Sequence, residues 1–275
     1  MNTESRNPRS FGLDKMTARE IIRLMDEEEM GVLRALKQVE AQVAEVSERV
    51  AGAISAGGRV VYVGAGTSGR IATMDAAEMP PTFGLEPDRF VAVISGGQDA
   101  QVAAKEDAED NEHAAVVALN ELGIGRQDVL IGLAASGETP FVVAAVVHAR
   151  QKGVWTCGIA NNRNSALTRK ADLGIVLDTG PEVLTGSTRL KAGTAQKLVL
   201  NRISTTAMVL CGKVISNLMV DVRAKNQKLK ERCCRIVQEL TSSTYEEAWQ
   251  ILESVDWNVR AAVEQMNGVS VGPVR

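Results

Sequence analysis

Aromatic residues make up only 3% of this 275-residue sequence. Proteins that hold single-stranded nucleic acids stack the bases on aromatic side chains, so this scarcity argues against that class of partner. The formal net charge is −3, and the chain contains no long basic run. Because proteins that bind nucleic acids usually carry a basic patch, we expect no nucleic acid partner.

Metal-binding and disulfide patterns are also missing. The four cysteines are Cys157, Cys211, Cys233 and Cys234. They show neither zinc-ligand spacing nor a disulfide framework. The two histidines, His113 and His148, lie far from each other and from any cysteine cluster, and we interpret both as surface residues of helices. We therefore expect no metal and no other cofactor.

Long apolar runs are absent as well. No stretch is long enough to span a bilayer, and residues 1–12 lack the apolar core of a signal peptide. We therefore expect a cytoplasmic protein without a membrane partner. The hydrophobic fraction of 45% is ordinary for a folded protein and predicts a packed core. The length suits one large α/β domain with additions, or two small domains.

The clearest motif lies in residues 58–84. A β-branched run at 60–63 predicts a buried strand, and Gly64-Ala65-Gly66 predicts a tight turn after it. Thr67 and Ser68 then open a predicted helix, whose first N–H groups suit a phosphate. We expect Ser68 to cap this helix and to bond the ligand. The motif matches neither the dinucleotide fingerprint nor the P-loop, and a plain strand–helix connection is the alternative.

Further short apolar runs alternate with helical patterns. Together the five predicted strands are 60–63, 90–94, 128–134, 154–160 and 173–177. The alternation predicts an α/β fold with a five-stranded parallel sheet, sandwiched by helices in three flavodoxin-like layers. Ligands of such sheets bind at the carboxyl ends of the strands.

The predicted helices surround this sheet. Thr17 and Glu20 form a capping box that opens the N-terminal helices. Pro80-Pro81 predicts that the helix after the first turn ends close to Glu78. The other helices are predicted at 30–56, 100–122, 141–152, 198–210, 213–224 and 226–240, with a loop at 80–87 and a helical bundle in the tail.

Two more clusters of small and hydroxyl residues could form phosphate turns. They are ASGETP, after the third strand, and TGSTRLKAGTAQK, which opens a later helix. Taken singly, the first is explained equally well if Ser136 and Thr139 only cap a helix. The same holds for Ser187 and Thr188 in the second. Three such turns at one sheet edge favour a sugar phosphate or a similar small anion, but they do not indicate the reaction.

The pair of turns GAGTS and ASGET resembles the sugar isomerase (SIS) domain, which binds phosphosugars. Longer blocks resemble the N-acetylmuramic acid 6-phosphate etherase family, namely VGAGTSGR, DAAEMPPTFG, AEDN and TGSTRLKAGTAQKLVLNRIST. The same resemblance extends to two further blocks, the N-terminal TESRNPRSFGLDKMTAREI and the later NLMVDVRAKNQKL. The resemblance covers essentially the whole chain. It divides the chain into N-terminal helices (1–50), a SIS domain (51–215) and a ubiquitin-associated-like helical subdomain (216–275).

The resemblance implies a lyase that splits N-acetylmuramic acid 6-phosphate into N-acetylglucosamine 6-phosphate and D-lactate, in the recycling of cell-wall amino sugars. The functional carboxylates of the family fall on Glu78, as proton donor, and on Glu109, as general base. Without the resemblance, Glu109 would be interpreted as a solvated residue of a charged helix. The expected ligands of the phosphosugar are Gly66, Thr67, Ser68, Ser136, Gly137, Thr139, Ser187, Thr188 and Lys191.

One geometric difficulty concerns Glu78. If the chain from Ser68 to Glu78 is all helix, the two residues lie about 15 Å apart. A homodimer in which Glu78 of one subunit faces the phosphate turn of the other would resolve this, and SIS proteins generally pair. An aldose–ketose isomerase and a non-catalytic sugar-phosphate sensor are the alternative functions. A SIS transcriptional regulator is disfavoured because the N-terminal helices lack a basic face.

Overall fold

The chain folds around a five-stranded parallel sheet, as the sequence predicted. The structure is a computed structural model that describes residues 2–103, 105–222, 224 and 226–268. The strands are β1 Val60–Gly64, β2 Phe90–Ile94, β3 Val129–Ala134, β4 Trp155–Ala160 and β5 Leu173–Val176. Their spatial order is β2-β1-β3-β4-β5. Every residue of β1 and β3 is buried, because helices cover both faces of the sheet.

Helices form a layer on either side of the sheet. Before the tail they are α1 Ala18–Gln38, α2 Glu40–Ser55, α3 Gly66–Phe83, α4 Glu112–Glu121, α5 Pro140–Gln151, α6 Ala166–Lys170 and α7 Lys191–Leu210. One face packs against α2, α3 and α7 in a core that includes Val46 and Ile203. The other packs against α4, α5 and α6 in a core that includes Leu119 and Val146. This arrangement confirms the predicted three layers.

The N-terminal helices begin with the predicted capping box. The Thr17 hydroxyl accepts a hydrogen bond from the Glu20 N–H at 3.4 Å, and Glu20 Oε2 accepts one from the Thr17 N–H at 2.7 Å. The prediction of one helix over 30–56 was wrong, because the helix breaks at Val39. Val39 is 4% exposed, and the break at this buried position allows the apolar stripes of α1 and α2 both to contact α7.

The sequence predicted that helix α3 ends near Glu78, but the helix continues to Phe83. The predicted loop over 80–87 was therefore wrong in its first half. Both prolines lie inside the helix and cannot donate backbone hydrogen bonds there. Phe83, in the last turn of the helix, is 4% exposed and packs in the core. Gly84, with a φ of 67°, ends the helix in the left-handed conformation.

The predicted helix over 100–122 was also wrong. The described residues contain short 3₁₀ turns at Gln98–Gln101 and Glu106–Ala108, and α4 begins only after Asn111. The Asn111 side chain caps α4 by accepting a hydrogen bond from the N–H of Ala114 at 3.0 Å. The charged stretch before Asn111 offers few apolar side chains for burial, so packing does not stabilise a long helix there.

The tail begins with an antiparallel hairpin, β6 Val214–Ile215 and β7 Leu218–Met219, where the sequence wrongly predicted a helix over 213–224. Ser216, with a φ of 54°, lies in the turn, and this left-handed conformation interrupts helical geometry. The predicted helical bundle follows. Its helices are α8 Gln227–Thr241, α9 Tyr245–Ser254 and α10 Val259–Asn267, and they share a core of their own.

The proposed limits of the three regions, 1–50, 51–215 and 216–275, stay predictions. Residues 269–275 lie outside the described part of the chain. Arg260 of α10 donates hydrogen bonds to Asp221 and to the carbonyl of Gly212, which connects the bundle to the end of α7. Among the residues that the structure describes, we find no helix with the length and apolarity that a membrane span requires.

Candidate active site

The topological switch point of the sheet lies between β1 and β3. The chain leaves β1 for β2 on one side and later returns to β3 on the other. Gly64 pairs in register with Leu133, so the turn after β1 (first turn, 65–68) lies next to the turn after β3 (second turn, 135–139). Ligands of open α/β sheets bind in the crevice between such diverging loops. Both turns therefore lie where the sequence predicted them, and they are neighbours.

Glycines shape the first turn. A Cβ on Gly64 would lie 2.7 Å from the nitrogen of Gly69, so only glycine permits this tight passage into α3. Gly66 has a φ of 50°. Ser68 is 7% exposed and does not cap the helix, contrary to expectation, because the N-cap residue is Ala65. Since Ala65 has no side-chain acceptor, the N-cap leaves the first N–H groups of α3 to other acceptors.

Glu109 lies beside the first turn. Its Oε1 is 3.1 Å from the point that a Cβ on Gly66 would occupy. Its carbonyl oxygen accepts a hydrogen bond from the N–H of Phe141 at 3.0 Å, at the start of α5. The structure therefore holds Glu109 between the first turn and the helix that follows the second turn. Its backbone lies outside any helix, just before α4, so it is not a residue of a solvated helix face.

The second turn is tightly packed. Gly137 has a φ of 72°, and a Cβ there would lie 2.3 Å from the Cβ of Ser165. Ser136 Oγ accepts a hydrogen bond from the N–H of Glu138 at 3.1 Å, within the turn itself. Thr139 is the N-cap residue of α5, but its side chain makes no capping hydrogen bond. The Thr139 hydroxyl therefore does not serve as a helix cap.

The third turn (185–190) precedes α7, and Gly193 at the start of that helix lies between the third turn and the first. A Cβ on Gly193 would be 3.4 Å from Thr67 Cγ2 and 3.4 Å from the carbonyl oxygen of Thr188. The N-cap of α7 is Leu190, so Ser187 and Thr188 do not cap this helix. The structure thus places the third turn at the border of the same crevice.

A buried carboxylate occupies the N-terminus of α7. Glu182 is 0% exposed, and it accepts hydrogen bonds from the N–H groups of Lys191 at 3.1 Å and Ala192 at 2.9 Å. Burial raises the pKa of Glu182, although these two hydrogen bonds and the charge of Lys191 oppose the rise. Glu182 was not identified from the sequence. An acidic residue shortly before a predicted helix is a signal that would have indicated such a cap.

Lys191, a predicted ligand of the phosphosugar, is paired within the chain. It is 4% exposed, and its Nζ lies 2.6 Å from Oε2 of Glu28 in α1. Burial opposes ionisation of Glu28, but the hydrogen bond and charge of Lys191, with Asn7 and Arg9, lower the pKa of Glu28 overall. Binding of the ligand by Lys191 stays a prediction. Glu28 was not identified from the sequence.

Glu78 lies away from these turns. It occupies the exposed face of α3, ten residues beyond Ser68 along an unbroken helix. At a rise of 1.5 Å per residue, about 15 Å separates it from the first turn. A single chain therefore brings Glu109, but not Glu78, to the first turn.

Within residues 2–103, 105–222, 224 and 226–268, no three His, Cys, Asp or Glu side chains are grouped so that they could hold a metal ion. The cysteines are free thiols, and burial raises the pKa of Cys233 to about 11, which makes it a poor ligand at neutral pH. The expectation of no cofactor stays a prediction.

Comparison with known proteins agrees with this fold. The model of the family "Glucokinase regulatory protein N-terminal SIS domain" matches residues 42–150, and that of "SIS domain" matches residues 115–203. A phosphoheptose isomerase from Francisella tularensis has a TM-score of 0.54 at 17% identity, covering 70% of this chain and 98% of that one. A phosphoheptose isomerase from Neisseria gonorrhoeae has a TM-score of 0.53 at 20% identity, covering 70% and 97%. These two likenesses show the fold alone.

Two curated relatives are much more similar in sequence. The N-acetylmuramic acid 6-phosphate etherase of Mycolicibacterium smegmatis is 48% identical over 263 residues, which cover 96% of this chain and 88% of the relative. The etherase of Geobacillus thermodenitrificans is 49% identical over 261 residues, which cover 95% and 88%. Identity at this level over almost the whole chain shows that the chain belongs to the N-acetylmuramic acid 6-phosphate etherase family.

Proposed function

We propose that this protein is a lyase that cleaves the D-lactyl ether of N-acetylmuramic acid 6-phosphate and releases N-acetylglucosamine 6-phosphate and D-lactate. The reaction serves the recycling and catabolism of cell-wall amino sugars. The proposal rests on the position of the Glu109 carboxylate, beside Gly66 at the switch point, in a chain 48% identical to a relative named as this etherase.

The phosphate of the sugar binds in the crevice between the first and second turns. Thr67 and Ser68 carry hydroxyls at the start of α3, and Ser136 and Thr139 carry hydroxyls after β3. The N-termini of α3 and α5 point to this edge of the sheet, and their dipoles favour an anion. The third turn borders the same crevice and completes its wall.

Two proton transfers carry the chemistry. In the open-chain sugar, the C2 hydrogen lies next to the C1 aldehyde, and Glu109 removes this proton. The lactyl oxygen on C3 is then β to the carbanion, and lactate leaves with a proton from Glu78. Water adds to the unsaturated aldehyde and restores a hydroxyl at C3. Each transfer contributes about a hundredfold to ten-thousandfold in rate.

A homodimer brings Glu78 to the phosphate crevice of the partner. Glu78 shares the outer face of α3 with Met74, which is 45% exposed. The neighbouring helix α7 exposes Val209 and Leu210 by 48% and 54%. Exposed apolar side chains on two neighbouring helices are typical of a protein interface rather than of a free surface. A two-fold pair that buries this surface would place each Glu78 against the other subunit.

Lactate release tests the reaction. Purified protein is incubated with N-acetylmuramic acid 6-phosphate, and D-lactate is measured. The wild type should release lactate, whereas Glu78→Gln and Glu109→Gln should each lose at least about a hundredfold in rate. Glu112→Gln changes an exposed carboxylate at the start of α4 and serves as the matched control. Wild-type rates in either Gln variant would overturn the assigned roles. A bound phosphosugar without lactate release would indicate a non-catalytic sensor.

Mixing the two inactive variants tests the shared site. If Glu78 serves the partner's crevice, half of the randomly mixed dimers contain one chain of each kind, and each such dimer has one intact site of two. Activity should then recover to about a quarter of the wild type. If each site used both glutamates of one chain, mixing would restore nothing, and the dimer proposal would fail.

A further inference from the structure

The N-terminal segment reaches the phosphate crevice. Residues Asn2–Glu4 form a 3₁₀ turn that is bonded to Asn162, two residues beyond the carboxyl end of β4. Thr3 is 1% exposed, and it contacts Asn162, which is 4% exposed and follows β4. The two residues are 159 positions apart in sequence. This buried polar contact therefore joins the beginning of the chain to the loops around the candidate site.

Asn162 connects Thr3 to the second turn. Its Oδ1 accepts a hydrogen bond from the Thr3 N–H at 3.2 Å, and its Nδ2 donates to Thr3 Oγ1 at 2.8 Å. The same Nδ2 lies 3.1 Å from the carbonyl oxygen of Ala135 and 3.3 Å from that of Ser136. One amide group thus holds the N-terminal turn and two consecutive carbonyl groups of the second turn.

Two backbone N–H groups also hold the carbonyl groups of this turn. The Ala135 oxygen also accepts from the N–H of Asn161 at 3.0 Å, and the Gly137 oxygen accepts from the N–H of Leu167 at 2.9 Å. Carbonyl oxygens repel an anion, whereas N–H groups of a turn attract it. Donors from the β4–α6 side therefore fix the carbonyl oxygens of 135–137 and prevent them from rotating towards a bound phosphate.

We propose that Thr3 is a positioning residue of the phosphate-binding turn, and that it acts by holding Asn162 against the Ala135 and Ser136 carbonyl groups. The proposal rests on the proposed function of the second turn as a phosphosugar site. The Thr3 N–H holds Oδ1, and Thr3 Oγ1 is the acceptor that shares the Nδ2 hydrogens with the two carbonyl oxygens, so Thr3 holds both ends of the amide. Without this acceptor, the amide rotates more freely and the two carbonyl groups lose their fixed direction.

The rest of the segment is placed consistently with this role. Asn2 and Asn162 line a cavity of about 390 Å³ together with Ser136 of the second turn. Glu4 Oε2 lies 3.3 Å from the point that a Cβ on Gly186 would occupy, in the third turn. Asn7 donates to Glu28 at 2.8 Å and so anchors the segment to α1. The segment therefore crosses from the second turn to the third.

Steady-state kinetics of Thr3→Val and Asn162→Ala test the inference. Valine keeps the shape of threonine but removes Oγ1, so one hydrogen bond is lost, and KM should rise about threefold to tenfold with kcat within twofold. Asn162→Ala removes the remaining contacts to the turn and should raise KM at least about tenfold. Ser10→Ala removes a hydrogen bond to Asn7 inside the same segment and is the matched control, with KM unchanged.

Inhibition separates positioning from loss of folding. The phosphorylated product, N-acetylglucosamine 6-phosphate, should inhibit Thr3→Val more weakly by the same factor as KM rises. Unphosphorylated N-acetylglucosamine should inhibit the wild type and the variant equally. A purely structural role would lower the active fraction instead, so kcat would fall while KM stayed constant. That result, or unchanged KM and inhibition in both variants, would overturn the inference.

A different result would refute the proposed function. If the wild type neither releases lactate nor binds N-acetylglucosamine 6-phosphate, the phosphosugar site itself is refuted, and the inference falls with it. If the wild type binds this compound without releasing lactate, calorimetric dissociation constants replace KM. Equal constants for the wild type, Thr3→Val and Asn162→Ala would then refute the positioning role alone.

Discussion

Replacing Glu28 by glutamine should leave Lys191 buried without its counter-ion. Lys191 is 4% exposed, and the Glu28 side chain is 11% exposed. Removal of one partner of a buried ion pair costs about 3–5 kcal/mol. We expect the lower end, about 3 kcal/mol, because the glutamine carbonyl can still accept a hydrogen bond. For a chain of this size, Tm should fall by about 6–12 °C.

Replacing Lys191 should reduce the stability of the fold less than replacing Glu28 does. In Lys191→Met, Glu28 keeps its ion pair with Arg9 at 2.9 Å and its hydrogen bond from Asn7 at 2.8 Å. We expect a loss of about 1 kcal/mol, and the double variant should recover most of the stability lost in Glu28→Gln. The same proteins test Lys191 as a ligand. If its ammonium group binds the phosphosugar, KM rises in Lys191→Met and in the double variant. The size of this rise should not follow the loss of stability in each variant.

The pH dependence follows from the lowered pKa of Glu28. Because the folded state holds this carboxyl ionised below its ordinary pKa of 4.5, the pair contributes its full stability above that pH. The contribution disappears as the pH falls through the folded pKa. Urea unfolding should therefore show a constant difference between wild type and Glu28→Gln at about pH 6–8, and a smaller one below about pH 4.5. A difference under about 1 kcal/mol at neutral pH would refute the reasoning.

Three further predictions concern the turns and the core. Gly66→Ala places a methyl group 3.1 Å from Glu109 Oε1, so lactate release should fall at least about tenfold; rates within twofold of wild type would contradict this. Because Gly66 has a φ of 50°, alanine there should also cost about 1–2 kcal/mol of stability. In Gly137→Ala the methyl group would lie 2.3 Å from the Cβ of Ser165, and urea titration should show a loss of more than about 2 kcal/mol. Burial raises the pKa of Asp75, although hydrogen bonds oppose this, so the ionised carboxyl costs stability as pH rises above 3.8. The stability of Asp75→Asn relative to wild type should therefore increase as the pH rises above 3.8, and a pH-independent difference would argue against it.

The sheet could be predicted because its signals are local. Runs such as 128–134 combine β-branched residues with flanking turn residues, and the observed β3 differs from that prediction by one residue. The helix predictions failed where distant contacts decide the conformation. The helix breaks at Val39, and both α1 and α2 then contact α7. The hairpin at 214–219 replaces a segment with adequate helical spacing. Periodicity reports which face of a segment is apolar, but not where tertiary contacts interrupt it.

The residues of the candidate site also include some that a local pattern predicts and some that it does not. The hydroxyl residues of the three turns follow strands or precede helices, so the sequence pattern identified them. Glu109 required the family resemblance, because its neighbours are charged and its contact with Gly66 is not visible in any local pattern. Glu28 and Lys191 lie 163 positions apart, and no spacing rule joins them. Pairs of this kind are determined by the fold and can be identified only from the structure.

Helix α3 joins the first turn to Glu78 without a break, and this restricts changes in chain length. One residue inserted between Ser68 and Glu78 would rotate every later side chain by about 100° and advance it by about 1.5 Å. Glu78 would leave its face of the helix, and Phe83 would leave the core. Among relatives that keep the reaction, insertions and deletions should therefore fall outside residues 66–83, and a change of length inside that range would mark a change of chemistry.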